Sequence, residues 1–140
     1  MTKIKDDPRC AGHSDLDAYC GGFFDGEGCV SIHRRKSGGI QIVISAYQTL
    51  EAPLQLFKRR FGGKIIANKK RPRRKQSWTW YAYGKDAFYS LSRMLPWLIV
   101  KRKKAKLALA ILKYQPIKGE ATSRYQMRAL GMILGKYFHD

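Results

Sequence analysis

Tyr19-Cys-Gly-Gly-Phe-Phe-Asp-Gly-Glu-Gly-Cys-Val30 is an apolar, glycine-rich stretch that ends in two carboxylates, Asp25 and Glu27. Just upstream, Asp15 is a suitable helix N-cap, and Leu16, Tyr19 and Phe23 recur at helical spacing. The glycines argue against an ordinary helix, since each costs about 1 kcal/mol relative to alanine in a helix interior. Gly21, Gly22, Gly26 and Gly28 therefore need another reason to be there. An isolated acid after such a helix, in a chain with 28 Lys+Arg against 10 Asp+Glu, suits a divalent-metal ligand. A helix C-cap followed by a turn accommodates the same residues.

Working outward, Cys29 to Lys36 alternates, with Val30 and Ile32 on one side and Ser31, His33 and Arg35 on the other. Ser37-Gly38-Gly39 is a hairpin turn signal. Ile40 to Gln48 alternates again: Ile40, Ile42, Ile44 and Ala46 oppose Gln41, Val43, Ser45 and Tyr47. Residues 51–61 read as a helix with Leu54, Phe57 and Phe61 on one face, stopped by Gly62-Gly63. A third strand runs from Lys64 to Lys70, and a fourth covers Ser77 to Tyr83. Between them, Lys69 to Lys75 holds six basic residues in seven. Further helices are expected at Lys85–Leu95, broken by Pro96, then at Lys101–Tyr114 and Ser123–Phe138. Residues 1–14 read as a loose tail, which leaves 15–140 as one domain.

This order predicts an α+β fold: a curved, four-stranded antiparallel sheet with helices on one face. The other face is left open and polar. Its expected outward residues are Ser31, His33 and Arg35 on the first strand, and Gln41, Val43 and Ser45 on the second. On the third they are Ala67 and Lys69, with Arg71 just beyond. On the fourth, Trp78 and Trp80 are expected under the helices, with Thr79, Tyr81 and Tyr83 outward. The reverse orientation would stack tryptophans on single-stranded nucleic acid.

Composition narrows the partner. A length of 140 residues suits a single domain, and 44% hydrophobic residues suffice for a core. No apolar run approaches the roughly 20 residues of a membrane helix, and the N-terminus lacks a signal-peptide core. Three cysteines, Cys10, Cys20 and Cys29, do not make a disulfide scaffold, so a reducing, intracellular setting is expected. With His13 they match no standard zinc spacing. A net charge of +18 calls for a polyanion. Nucleic acid fits better than an anionic membrane, because the cations are spread through periodic segments and not gathered on one amphipathic helix. Within the loop, Arg73 and Arg74 are expected phosphate contacts, and the run also matches a nuclear-localisation pattern.

Residues 19–30 resemble the LAGLIDADG homing-endonuclease motif, in the form with aromatics before the acid and Gly-Glu-Gly after it. The αββαββα order is similar to that family as well. So is Leu95-Pro-Trp-Leu98 followed by the basic run from Lys101. The likeness covers about residues 15–114. Cys20 and Gly21 replace the usual Leu-Ala, and residues 115–140 have no clear counterpart.

The resemblance implies a homodimer in which two motif helices pack closely, with Cys20, Gly22, Phe23 and Gly26 between them. Small residues one turn apart permit such an approach. It implies that Glu27 binds metal through its carboxylate and Gly26 through its carbonyl, with Asp25 capping the helix end. The implied cofactor is Mg²⁺, with Mn²⁺ able to substitute. Lys101 would be the cation near the attacking water or phosphate, with Lys103 its substitute, and Gln48 would position a water. The implied activity is a double-strand cut at a long, near-palindromic DNA site by an intron-encoded or free-standing enzyme. Two alternatives on the same scaffold are an intron RNA maturase and an inactive DNA-binding regulator. Outside it stands a basic RNA-packaging or ribosome-associated protein. Glu27 at the acidic position favours the endonuclease.

Overall fold

The computed structural model describes residues 13–36, 39–114, 128 and 131–133. Helix α1 (His13–Glu27) leads into the hairpin β1 (Gly28–Arg34) and β2 (Ile40–Gln48). Helix α2 (Glu51–Phe61) leads into the second hairpin, β3 (Lys64–Ala67) and β4 (Trp78–Tyr83). Helix α3 (Gly84–Met94), a 3₁₀ turn (Leu95–Trp97) and helix α4 (Arg102–Tyr114) follow. All strands are antiparallel, in the order β1-β2-β4-β3. The expected αββαββα order and four-stranded sheet are both present. Most of the tail 1–14, the turn residues Ser37 and Gly38, and nearly all of the expected helix 123–138 lie outside the described residues.

Strand alternation builds the core. Val30, Ile32, Ile42, Ile44, Ala46, Trp80 and Ala82 are buried on the helix side of the sheet. From the helices, Phe24, Leu54, Phe57, Leu91, Ala105 and Ala108 meet them. The Trp80 ring lies 4.8 Å from that of Phe57. Its indole N–H donates to the Gly62 carbonyl at 2.8 Å, so the largest core side chain leaves no polar atom unpaired. Gly62 closes α2 at φ 82°, its N–H bonded to the Lys58 carbonyl at 2.9 Å.

Two boundaries differ from the sequence reading. Helix α1 begins at His13, so Asp15 lies inside its first turn and is not the cap. Strand β3 ends at Ala67, three residues early. Its register pairs Ala67 with Trp78 and Ile66 with Thr79. Ala67 therefore shares the helix-side parity, while Ile66 points to the open face. A short strand rich in isoleucine and lysine gives little periodic signal, and a one-residue slip exchanges its faces.

One feature of the core was not legible at all. Arg60 and Asp17 are fully buried and paired, with Nε donating to Oδ1 at 2.8 Å and Nη2 to Oδ2 at 3.2 Å. Arg60 Nη1 donates to the Tyr89 hydroxyl at 2.6 Å, and Arg93 Nε reaches Asp17 at 3.2 Å. This cluster joins α1, α2 and α3. Arg60→Leu or Asp17→Leu alone should each cost about 3–5 kcal/mol, because the remaining charge stays buried without its partner. The double replacement should recover much of that loss. Urea unfolding of the three variants measures it, and strictly additive losses would show that the pair does not act as a unit.

Candidate active site

Three chain segments converge where α1 ends. Glu27 is the last residue of α1 and is exposed, as is Gly26. The β1–β2 register pairs Gly28 with Ala46, so Glu27 lies at the same sheet end as Tyr47 and Gln48. The start of α4 closes the third side. Asp25 accepts the Val100 and Lys101 backbone N–H groups at 3.1 and 2.9 Å, one on each carboxylate oxygen. In return, Lys101 Nζ donates to the Asp25 carbonyl at 2.7 Å. That carbonyl belongs to the last turn of α1, where no intrahelical donor is available. Asp25 thus caps the approach to α4, a different element from the one the sequence reading assigned.

These bonds divide the two acids. The Lys101 amide holds the Asp25 carboxyl below the usual carboxylate range. Burial opposes this, and the Val100 and Ile99 amides and the Lys101 charge reinforce it. Both Asp25 oxygens are spent on backbone, whereas Glu27 stands exposed two residues on. Lys101 is half-buried and held against α1, while Lys103 is exposed in the first turn of α4. The Gln48 amide oxygen accepts from the Thr49 N–H at 2.7 Å and the Thr49 hydroxyl at 3.2 Å.

No group of three or more His, Cys, Asp or Glu side chains among the described residues forms a metal cage. The donors expected from the sequence, the Glu27 carboxylate and the Gly26 carbonyl, are adjacent at the exposed end of α1. That donor set fits a hard cation such as Mg²⁺, which keeps waters and takes its other ligands from phosphate.

The exposed face of α1 carries Tyr19, Gly22 and Gly26. A Cβ added at Gly22 or Gly26 would meet nothing within 4 Å. Gly21 does the opposite: its Cβ would stand 3.0 Å from that of Trp97 and 3.2 Å from the Met94 carbonyl, so this glycine lets α1 approach the 3₁₀ turn. Cys20 does not join the Gly22 face. It is fully buried, and desolvation pushes its thiol up to about 12. Two residues along a helix turn the side chain through about 200°, which puts positions 20 and 22 on opposite faces. Phe23 is half-buried, packed edge-on against Phe57 at 5.6 Å.

The open sheet face presents ordered rows. His33 and Gln41 form one row, Ser31, Val43 and Tyr83 a second, and Cys29, Ser45, Tyr81 and Lys64 a third. Tyr81 and Tyr83 stack at 6.4 Å with an interplanar angle of 15°. Trp80 faces the helices, as expected. Arg35 lies just past β1, its N–H bonded to the Gly39 carbonyl at 2.7 Å. The loop residues Lys69, Arg71, Arg73 and Arg74 are exposed beyond β3. An open pocket of about 720 Å³ lies where this loop meets β2. Tyr47, Thr49, Asn68 and Ser77 line it, together with Lys69, Arg71, Arg74 and Lys75.

No family model matches the chain, nor does any curated protein. Solved structures do match. The homing endonuclease I-CvuI in complex with its target in the presence of calcium shares 24% identity at a TM-score of 0.64, over 89% of this chain and 81% of that one. The archaeal intron-encoded homing endonuclease I-Vdi141I, complexed with DNA, is 18% identical at a TM-score of 0.64, over 89% and 82%. The LAGLIDADG homing endonuclease I-GzeII, in complex with its DNA target, is 16% identical at 0.62, over 85% of this chain but 42% of that one. This chain has the LAGLIDADG homing-endonuclease fold.

Cys29 on the open face, and Tyr47, Thr49 and Asn68 at the pocket, were not among the candidates from the sequence, although Tyr47 had been set on the polar side of its strand. Strand parity carried the signal for Cys29 and Tyr47. Thr49 and Asn68 sit at strand ends, where parity fails. Asn68 Nδ2 donates to the Ser77 and Thr79 hydroxyls at 3.1 and 3.0 Å, and Gln76 Nε2 donates to the Asn68 carbonyl at 2.7 Å. These bonds fasten the base of the basic loop.

The Asp25 carboxyl has a folded pKa below its unfolded value of about 3.9, so its stabilisation is present above that pH and lost as pH falls through the folded value. Asp25→Asn should therefore melt below the wild type near neutrality, and the gap should close in acid. Calorimetry from about pH 7 down to about pH 3 reads this, and a gap that stays constant would remove the carboxylate charge as its source.

Proposed function

We propose that this chain is a homodimeric, divalent-metal-dependent, site-specific DNA endonuclease of the LAGLIDADG family. The observation that supports this reading is the Gly28–Ala46 pairing together with the Lys101–Asp25 bond, which bring the ends of α1 and β2 and the start of α4, carrying Glu27, Gln48 and Lys101, to one end of a sheet whose strands hold no carboxylate. The DNA complexes among its structural neighbours support the partner. Crystals of I-CvuI with calcium or magnesium support a divalent ion.

Phosphodiester hydrolysis needs an activated water and a stabilised leaving oxygen. A bound divalent ion supplies Lewis-acid activation and neutralises phosphate charge. The Glu27 carboxylate and Gly26 carbonyl would hold it. Gln48, its amide oxygen engaged by Thr49, keeps its NH₂ to orient a water. Lys101 is held by Asp25 beside the helix end, where its charge favours an incoming phosphate. A single motif in 140 residues gives one such half-centre, so two copies related by a two-fold axis complete it. The open helix face at Gly22 and Gly26 offers the contact. Two-fold symmetry then implies a near-palindromic site. Base-edge readout falls to Ser31, His33, Arg35, Gln41, Ser45, Tyr81 and Tyr83, and phosphate contacts to Lys69, Arg71, Arg73 and Arg74.

Glu27→Gln should abolish Mg²⁺-dependent cleavage of a DNA library while duplex binding persists. Cleavage near the wild-type rate removes the metal assignment. Binding to structured RNA in preference to duplex DNA would move the assignment to a maturase.

Gly22→Val should dissociate the dimer, because a branched side chain blocks close helix approach. Sedimentation at micromolar concentration reads this directly. A wild-type chain that stays monomeric with and without DNA excludes the paired-helix account.

A further inference from the structure

The pocket beside β2 is not a generic basic surface. Tyr47 and Thr49, which line it, flank Gln48 on either side in the chain. A strand that brings a phosphate to Glu27 and Gln48 therefore runs on past this opening. Its volume of about 720 Å³ falls within the roughly 300–1,000 Å³ of small-molecule sites, well beyond what one phosphate needs. Its cations are Lys69, Arg71, Arg74 and Lys75, and no acid lines it. Four like charges converging on one hollow repel each other, so an anion there relieves a cost the empty pocket carries. The remaining lining is of another kind. Tyr47 presents an exposed aromatic ring, and Thr49, Asn68 and Ser77 offer hydroxyl and amide groups. That is the chemistry of a nucleotide: phosphate on cations, ring on ring, and polar edges on hydroxyls and amides.

The hollow is also held in shape. Asn68 is bonded to Ser77 and Thr79, and Gln76 to the Asn68 carbonyl, so the loop carrying the cations cannot swing freely from its root. Preorganisation of this kind lowers the ordering cost of binding.

We propose that this pocket is a nucleotide subsite, taking one unstacked nucleotide of the bound strand next to the cutting centre. It rests on the DNA reading given above, and its test separates the two. The probe is deoxyadenosine 5′-monophosphate, titrated into the full chain and followed by the amide NMR signals of Tyr47, Thr49, Lys75 and Ser77. Inorganic phosphate and deoxyadenosine serve as controls, and duplex binding is measured in parallel. The mononucleotide should shift these signals at saturation of one per chain and bind at least tenfold more tightly than either control. Tyr47→Ala, at an exposed position, should weaken it by about tenfold, in line with the strength of base–aromatic stacking. The pair Arg74→Ala and Lys75→Ala should abolish its binding. Equal affinity for mononucleotide and phosphate overturns the nucleotide subsite and leaves a phosphate contact. Duplex binding without any mononucleotide shift also overturns it, while the DNA reading stands. Failure to bind either ligand overturns both.

Discussion

The reciprocal bonds between Asp25 and Lys101 decide where the motif helix ends, and the site depends on that ending. A helix terminus leaves carbonyls without donors. Here the Lys101 ammonium takes one of them, while Asp25 takes the two amides that open the way to α4. Each residue therefore meets a need created by the other's element. The consequence is positional. Glu27 emerges two residues later, at the end of α1, and the half-buried Lys101 is held against the same last turn. Rigid placement of this sort, on helix and strand ends, is what a metal-assisted reaction requires of its scaffold.

The same helix is held again near its start. Asp17 lies eight residues before Asp25, paired with Arg60 in full burial and touched by Arg93. A buried ion pair is weak evidence of net stability, since desolvation offsets much of the attraction. Its geometric effect is clearer: α2 and α3 both grip one carboxylate of α1. Between the two clamps, Cys20 and Phe24 sink into the core, Gly21 settles on the 3₁₀ turn, and Gly22 and Gly26 remain outside. One helix thus serves the core with one face and leaves a smooth opposite face for a second copy, the role proposed for it here.

Legibility followed periodicity. The β1–β2 hairpin and α2 were readable because their apolar residues repeat cleanly at 2 and 3.6, and the four-stranded antiparallel sheet followed from the repeat of helix and hairpin. Glu27, Gly26 and Lys101 became candidates only through resemblance, since spacing alone left a helix cap and a metal ligand both open. What was not readable depends on contacts distant in sequence. Nothing local marks Arg60 as buried, since Lys58, Arg59 and Arg60 are indistinguishable in composition and only tertiary packing selects the third. Cys20 was misplaced for the related reason that a helix of small residues gives no apolar stripe to orient it. Ala67 was misplaced because four residues are too few to fix a register.

Charge is partitioned in a way that matches this arrangement. Asp15, Asp17, Asp25 and Glu27 place four of the chain's ten carboxylates in α1, which carries no lysine or arginine. The cations lie elsewhere along the chain, with dense runs on the β3–β4 loop and in the first turns of α4. Of the four acids, Asp17 is paired with arginine, and Asp25 accepts hydrogen bonds from backbone amides. Among the described residues, no cation is bonded to the Glu27 carboxylate, which stands at the edge of a field strong enough to draw in a polyanion. A phosphate drawn toward that edge meets a carboxylate, and two negative groups share the space only with a cation between them. On the function proposed above, the charge distribution that would recruit DNA also gives a metal ion a place at Glu27.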